Sequence, residues 1–141
     1  MRMWNPERET MPRPQLAALQ SRLLHEGVAY AYARLPYYRA KMDEVGVAPG
    51  DIRTLADISR LPFTTKQDLR NTYPYGLLCV PKDRLVRLHV SSGTTGQATA
   101  IFYTQLDLDN WSDLLARCMH MTGARPGDTF QNMSGYGLFT G

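Results

Sequence analysis

Ser91, Ser92, Gly93, Thr94, Thr95 and Gly96 place four hydroxyls and two glycines in six consecutive positions, and Gln97, Ala98 and Thr99 follow. Hydroxyl donors and backbone N–H groups at this density make a cradle for an anion. Glycine lets the backbone approach closely because it has no Cβ. Phosphate is the guest such a turn suits best. The chain is β-rich on both sides, at Arg84-Leu85-Val86-Arg87-Leu88-His89-Val90 and at Thr99-Ala100-Ile101-Phe102-Tyr103-Thr104. Two strands pairing as a hairpin would hold the cluster at its tip. A Ser/Thr/Gly cluster between strands also serves as a plain turn, and composition alone leaves both readings open.

The order of residues says more. It does not follow the nucleotide-binding pattern G-x-x-x-x-G-K-S/T, because no lysine follows Gly96 and no helix opens there; nor does it follow G-x-G-x-x-G. It resembles the phosphate loop of the adenylate-forming enzymes, the acyl- and aryl-CoA ligases, whose signature is S/T-S-G-S/T-T-G-x-P-K/T. Further blocks narrow the resemblance to the phenylacetate–CoA ligase branch: Leu35-Pro36-Tyr37-Tyr38-Arg39, then Leu61-Pro62-Phe63-Thr64-Thr65-Lys66-Gln67-Asp68-Leu69-Arg70, then Tyr136-Gly137-Leu138-Phe139-Thr140-Gly141. The blocks keep the family's order from about Leu24 onward; the first twenty or so residues are not diagnostic. Two departures sit in the loop. Gln97 stands where the branch often has lysine, which removes a positive charge. Ala98 stands at the usual proline, which frees a φ that proline would fix. Backbone donors survive both changes, so the expectation is weaker or retuned nucleotide contact, not its abolition.

This resemblance implies a chemistry. A carboxylate attacks the α-phosphate of ATP and expels pyrophosphate, and the acyl group then passes to coenzyme A. The loop, residues Ser91, Ser92, Gly93, Thr94, Thr95, Gly96 and Gln97, would hold the phosphates with donors already in place. Mg2+ would share the charge. Tyr136, Gly137 and Phe139 would lie near a pocket for an aryl acid, although an aromatic residue after a strand also serves as ordinary packing. The later adenine and ribose motifs, the metal-binding glutamate and the C-terminal lysine of the family are absent from these 141 residues. No catalytic or metal-binding residue is therefore assigned, and the chain is expected to be inactive alone. It reads as an N-terminal portion of a longer enzyme, since residue 141 falls inside a Gly-rich segment. Two alternatives stand beside this reading. One is a ligase for another aryl or short acyl acid. The other is a helical interaction module that binds no nucleotide.

The elements around the loop follow from periodicity and caps. Leu16, Leu19, Leu23, Leu24, Val28, Ala31 and Leu35 recur at helical spacing and predict a helix over 14–34, which Pro36 ends. A short helix over 37–44 should close on Gly46. Thr54/Asp57, Thr65/Asp68 and Thr104/Asp107 each set a hydroxyl three residues before a carboxylate, a helix-start signal. They predict helices near 55–59 and 66–72 and a longer one after 104. The longer helix carries Leu108, Trp111, Leu115, Cys118 and Met119 on one stripe and ends at Gly123. Arg125-Pro126-Gly127-Asp128 is a turn, and residues 129–133 read as a further strand. The expected fold class is α/β, with a mainly helical section at 1–83. At 84–141 follow the phosphate-loop hairpin, a helix and a strand that begin the α/β layer of an adenylation domain.

Composition narrows the partners. Hydrophobic residues make up 43% of the chain and charged residues 21%, ordinary for a globular protein, and the net charge is +3. The basic residues are scattered without a stripe, which argues against nucleic acid. Two cysteines, Cys79 and Cys118, give neither a disulfide framework nor metal spacing; Cys118, on the apolar stripe, is expected to pack as a small hydrophobe. No apolar run approaches the ~20 residues that span a bilayer, so no membrane partner is expected. The N-terminus lacks a signal-peptide core, and the cytoplasm is the default compartment. Uncovered sheet edges and the stripe Leu108, Trp111, Leu115 predict a homo-oligomer.

Overall fold

The computed structural model of the chain describes residues 3–91, 98–133 and 135. The chain divides into two compact units, one formed by residues 12–80 and the other by residues 1–11 with 81–141.

The first unit is helical. Helix α2 (Arg13–Arg34) runs 22 residues and α3 (Pro36–Glu44) starts after a one-residue break at Leu35. The break has a local cause: the residue before a proline is driven out of the helical region, and Leu35 sits at φ −112°, ψ 103°. Its side chain is buried. Arg39, one turn into α3, donates to the carbonyls of Tyr32 and Ala33, satisfying acceptors that the end of α2 leaves open. Gly46, at φ 67°, turns the chain back at the end of α3, and the Val47 amide donates to the Met42 carbonyl.

That reversal delivers Val47 and Ile52 onto the helix pair. Val28, Met42, Val47 and Ile52 form the core, with Leu24, Tyr32 and Leu61 packed around it. Ile52 is 0% exposed. Two 3-10 turns follow, Pro49–Asp51 and Leu55–Arg60, and then α4 (Lys66–Asn71). Gly76 lies against Thr72: a Cβ there would stand 2.6 Å from the Thr72 carbonyl oxygen. The Gly76 amide donates to that same oxygen, so close backbone approach requires glycine here.

The second unit is built on a hairpin. A 3-10 turn (Lys82–Arg84) leads into β1 (Leu85–Ser91), which pairs antiparallel with β2 (Thr99–Thr104). The register pairs Ser91 with Thr99, His89 with Ile101 and Arg87 with Tyr103, with an irregularity between Leu85 and Arg87. Helix α5 (Gln105–Met121) begins directly at the end of β2 and closes on Gly123, at φ 105°. The short helix α1 (Pro6–Glu9), capped by Asn5, belongs to this unit although it lies about a hundred residues away in sequence.

All three Thr-x-x-Asp signals are used. In each, the aspartate accepts from the threonine amide and the threonine hydroxyl: Asp57 from Thr54, Asp68 from Thr65 and Asp107 from Thr104. The expected strand at 129–133 does not form. Those residues are irregular, and Phe130 and Met133 are 71% and 87% exposed. Their β propensity has no neighbouring strand to pair with among the described residues, and propensity without pairing does not make a strand. Cys118 is exposed and not packed.

Candidate functional site

The hairpin of the second unit is where the sequence places its chemistry. Of the loop residues, Ser91 is described: it is half-buried and ends β1. Ser92, Gly93, Thr94, Thr95, Gly96 and Gln97 lie outside the described residues, as do Tyr136, Gly137 and Phe139. What the structure gives is the frame that holds both ends of the loop.

Ser91 and Thr99 face each other across the ladder, and their hydroxyls hydrogen-bond side chain to side chain. The Thr99 amide also donates to Ser91 Oγ at 3.4 Å. Thr99 is 4% exposed, the one buried residue of this unit among those described. A buried hydroxyl must be hydrogen-bonded to be tolerated, so the pair at once satisfies Thr99 and closes the root of the loop.

Facing pairs and alternate residues share one face of an antiparallel ladder. The face that carries Ser91 and Thr99 therefore also carries His89 and Tyr103. Their rings stand edge to face with centroids 5.0 Å apart. Trp111, one and a half turns into α5, closes the group, 5.5 Å from His89 and 5.6 Å from Tyr103. The Nδ1 atom of His89 is buried and has no hydrogen-bond partner among the described residues. Beside this group an open groove of about 390 Å³ is lined by Arg87, Gln105, Leu108, Asp109, Trp111, Ser112 and Leu115.

Sequence reasoning did not anticipate this cluster. The available signal was aromatic or ring residues at alternate positions in both strands, His89 two before Ser91 and Tyr103 four after Thr99. Nor did it anticipate that the first residues join this unit. Asp113, Arg117 and His120 line one face of α5 at helical spacing. Trp4 donates its indole N–H to Asp113 at 2.8 Å, Glu9 pairs with Arg117 at 3.5 Å, and the Trp4 and His120 rings lie 5.9 Å apart.

The structure also unites two blocks of the first unit on which the family resemblance rested, 35–39 and 61–70. The Tyr38 hydroxyl hydrogen-bonds Thr64. Lys41 Nζ donates to the Phe63 carbonyl at 3.0 Å and to Asp68 Oδ2 at 3.1 Å, and stands 5.2 Å over the Tyr37 ring. The Thr65 amide and hydroxyl hold the Asp68 carboxyl well below the usual carboxylate range, helped by Tyr37 and Lys41. The neighbouring Tyr37 side chain and then Asp68 push Lys41 upward, and burial pushes Tyr37 upward. The grouping is a charged staple between α3 and α4. Its hydrogen bonds run from Tyr38 to Thr64 and from Lys41 to Phe63 and Asp68, all within this unit.

Among the described residues no three of His, Cys, Asp and Glu gather as a metal site, and no helix is long and apolar enough to cross a membrane.

No protein-family profile matches the chain. Individual proteins do. Over 139 residues, 99% of the chain, it is 50% identical to a phenylacetate–coenzyme A ligase of Thermus thermophilus, and over 133 residues 47% identical to that of Escherichia coli K12. The chain spans 31% and 30% of those two relatives. Among solved structures it is similar to a 2-hydroxyisobutyryl-CoA ligase in complex with 2-HIB-AMP and CoA. There the TM-score is 0.84 and the identity 35%, over 91% of this chain and 28% of that one. An open conformation of the same ligase gives 0.82 and 34%.

Proposed function

We infer that this homologue of the phenylacetate–CoA ligases supplies the first third of an AMP-forming acid–thiol ligase and contributes its phosphate-binding hairpin. The observation that carries the reading is 44–50% identity to four such ligases over at least 94% of the chain. The substrates are then an aryl acid, phenylacetate first, with ATP and coenzyme A, and the reaction class is adenylation followed by thioester formation.

The residues of the hairpin suit that task. Ser92, Thr94 and Thr95 would supply hydroxyl donors, Gly93 and Gly96 would admit backbone N–H groups, and the Ser91–Thr99 pair joins the strand ends on either side of them in sequence. Donors fixed before reaction cost no reorganisation when negative charge builds on a leaving pyrophosphate. Bound Mg2+ would supply further charge stabilisation. Gln97 donates hydrogen bonds from its amide without a formal charge, so it orients phosphate oxygens more than it attracts them. Tyr136, Gly137 and Phe139 are the proposed acid-pocket residues, on the family resemblance of their segment. In chain order 1–83 is proposed as a mainly helical section and 84–141 as the opening of the adenylation domain, with residues 1–11 grouped in the second compact unit. The exposed apolar side of α5 supports self-association of the isolated chain, and the cytoplasm is the proposed compartment.

The decisive experiment joins this chain to the remaining two thirds of the Thermus thermophilus relative. Phenylacetate, ATP, Mg2+ and coenzyme A should yield pyrophosphate and a thioester from the chimera and nothing from the 141-residue chain. Replacing Thr94 and Thr95 with valine should lower kcat/KM by about 10²-fold, as removing preorganised donors does elsewhere. A chimera that folds and releases no pyrophosphate with any aryl or short acyl acid would refute the assignment. Release with another acid, and none with phenylacetate, would move the assignment to the second ligase reading.

A further inference from the structure

We propose that His89, Tyr103 and Trp111 are positioning residues for the phosphate-binding turn: a three-ring brace that fixes the direction in which both strands enter it. The proposal rests on the phosphate reading of the turn for its functional consequence. Its structural content stands on its own.

Each ring comes from a different element. His89 is on β1, Tyr103 on β2 and Trp111 on α5, and all three centroid separations lie between 5.0 and 5.6 Å. Two of the contacts are edge-to-face and the third is tilted, the geometries that aromatic quadrupoles favour. A two-stranded ribbon has little stability of its own and twists readily. Here the Ser91–Thr99 hydroxyl pair clamps it at the root, and the rings brace it two residues further back on β1. The third corner is anchored as well, because Thr104 and Asp107 fix the start of α5 immediately after β2. Strand, strand and helix thus form a closed triangle on the face that carries the Ser91–Thr99 pair.

Histidine brings a polar atom into the cluster. Its Nδ1 is buried without a hydrogen bond to any described residue, which disfavours imidazole over a phenyl ring if packing were its whole duty. A ring that packs and also keeps a buried polar atom two residues from Ser91 suits a residue that adjusts the turn to its anion. His89→Phe keeps the packing and removes that atom, so the two duties separate.

The test is residue-resolved amide hydrogen exchange on the 141-residue chain, with and without inorganic pyrophosphate. In His89→Ala and Trp111→Ala, the Ser91 and Thr99 amides should exchange at least about tenfold faster while residues 105–121 keep their protection. His89→Phe should restore the protection, yet weaken the pyrophosphate-induced slowing of exchange that the unaltered chain shows. If alanine collapses the unit and exposes 105–121 too, Tyr103→Leu is the milder variant and must show the selective loss. Unchanged protection at Ser91 and Thr99 in all three ring variants overturns the brace, whether or not pyrophosphate binds. Selective loss with no pyrophosphate effect in any form keeps the brace and overturns the phosphate reading. Wild-type pyrophosphate response in His89→Phe overturns the polar duty of His89.

Discussion

The two units of this chain solve different problems. In residues 12–80, Val28, Leu35, Met42, Val47 and Ile52 are buried, and the unit carries its own core. In the other unit no described apolar side chain is buried. Trp111 is 41% exposed, and Leu106, Leu114, Leu115 and Met121 are more exposed still. Yet that unit holds the hydroxyl clamp, the ring cluster and the ends of the candidate loop. One region folds around apolar volume; the other is held by directional contacts. Burial scales with area removed from water, whereas hydrogen bonds and ring pairs contribute about 1 kcal/mol apiece and fix direction. The lesson is a division of labour between a region that stores stability and a region that stores geometry.

The comparison can be broken most forcefully at Ile52. Ile52→Ala should cost about 2–5 kcal/mol, seen as a lower midpoint in urea followed by circular dichroism. Amides of 12–80 should lose protection while those of 105–121 keep theirs. Equal loss in both units would show that the first is no separate store of stability.

A matched pair of caps comes next. Thr65→Ala and Thr104→Ala each remove a threonine that serves its aspartate and should cost about 1 kcal/mol. Their sites of action should differ: the first loosens 66–71, and the second loosens 105–121 together with the hairpin it follows. Loss of protection at 66–71 from the Thr104 change would contradict the division.

The staple between α3 and α4 gives a pH signature to the first unit alone. Asp68 is held below its ordinary range, so its contribution is complete above about pH 4, the unfolded carboxyl value. It fades as pH falls toward the depressed folded value. Lys41 is raised, so its contribution is complete below about pH 10, near the unfolded amine value. That contribution fades as pH rises through the folded value. Asp68→Asn should flatten the acid limb of the stability profile of 12–80 and leave the protection of 105–121 on its original pH course.

The smallest effect is expected at Leu115, exposed on α5. Leu115→Glu should change stability by no more than about 0.5 kcal/mol, while lowering the mass seen by light scattering at high concentration. An unaltered mass across the concentration series would separate the exposed stripe from self-association.

The same division sets what was legible in the sequence. Helix α2, the stop at Pro36, the three Thr-x-x-Asp starts and the hairpin were all legible, because each is decided within a few residues. The strand expected at 129–133 was not, because strand formation is settled by a partner and not by Phe130 or Met133 themselves. The candidate site was half legible. Its hydroxyls declare themselves by type and order. The rings behind it do not, since Trp111 on an apolar stripe reads as core until β1 and β2 bring His89 and Tyr103 to meet it. The contacts of Trp4 with Asp113 and His120 join residues more than a hundred positions apart, which no local pattern encodes.

One consequence of the ring contacts is optical. The chain has two tryptophans, Trp4 and Trp111, and both belong to the unit formed by 1–11 and 81–141. Each lies beside a histidine, Trp4 near His120 and Trp111 near His89. Residues 12–80 carry tyrosines and Phe63 but no tryptophan. Emission excited at the red edge of the indole band therefore originates in one unit. A melting curve recorded by that light follows the surroundings of Trp4 and Trp111, neither of which belongs to the apolar core around Ile52.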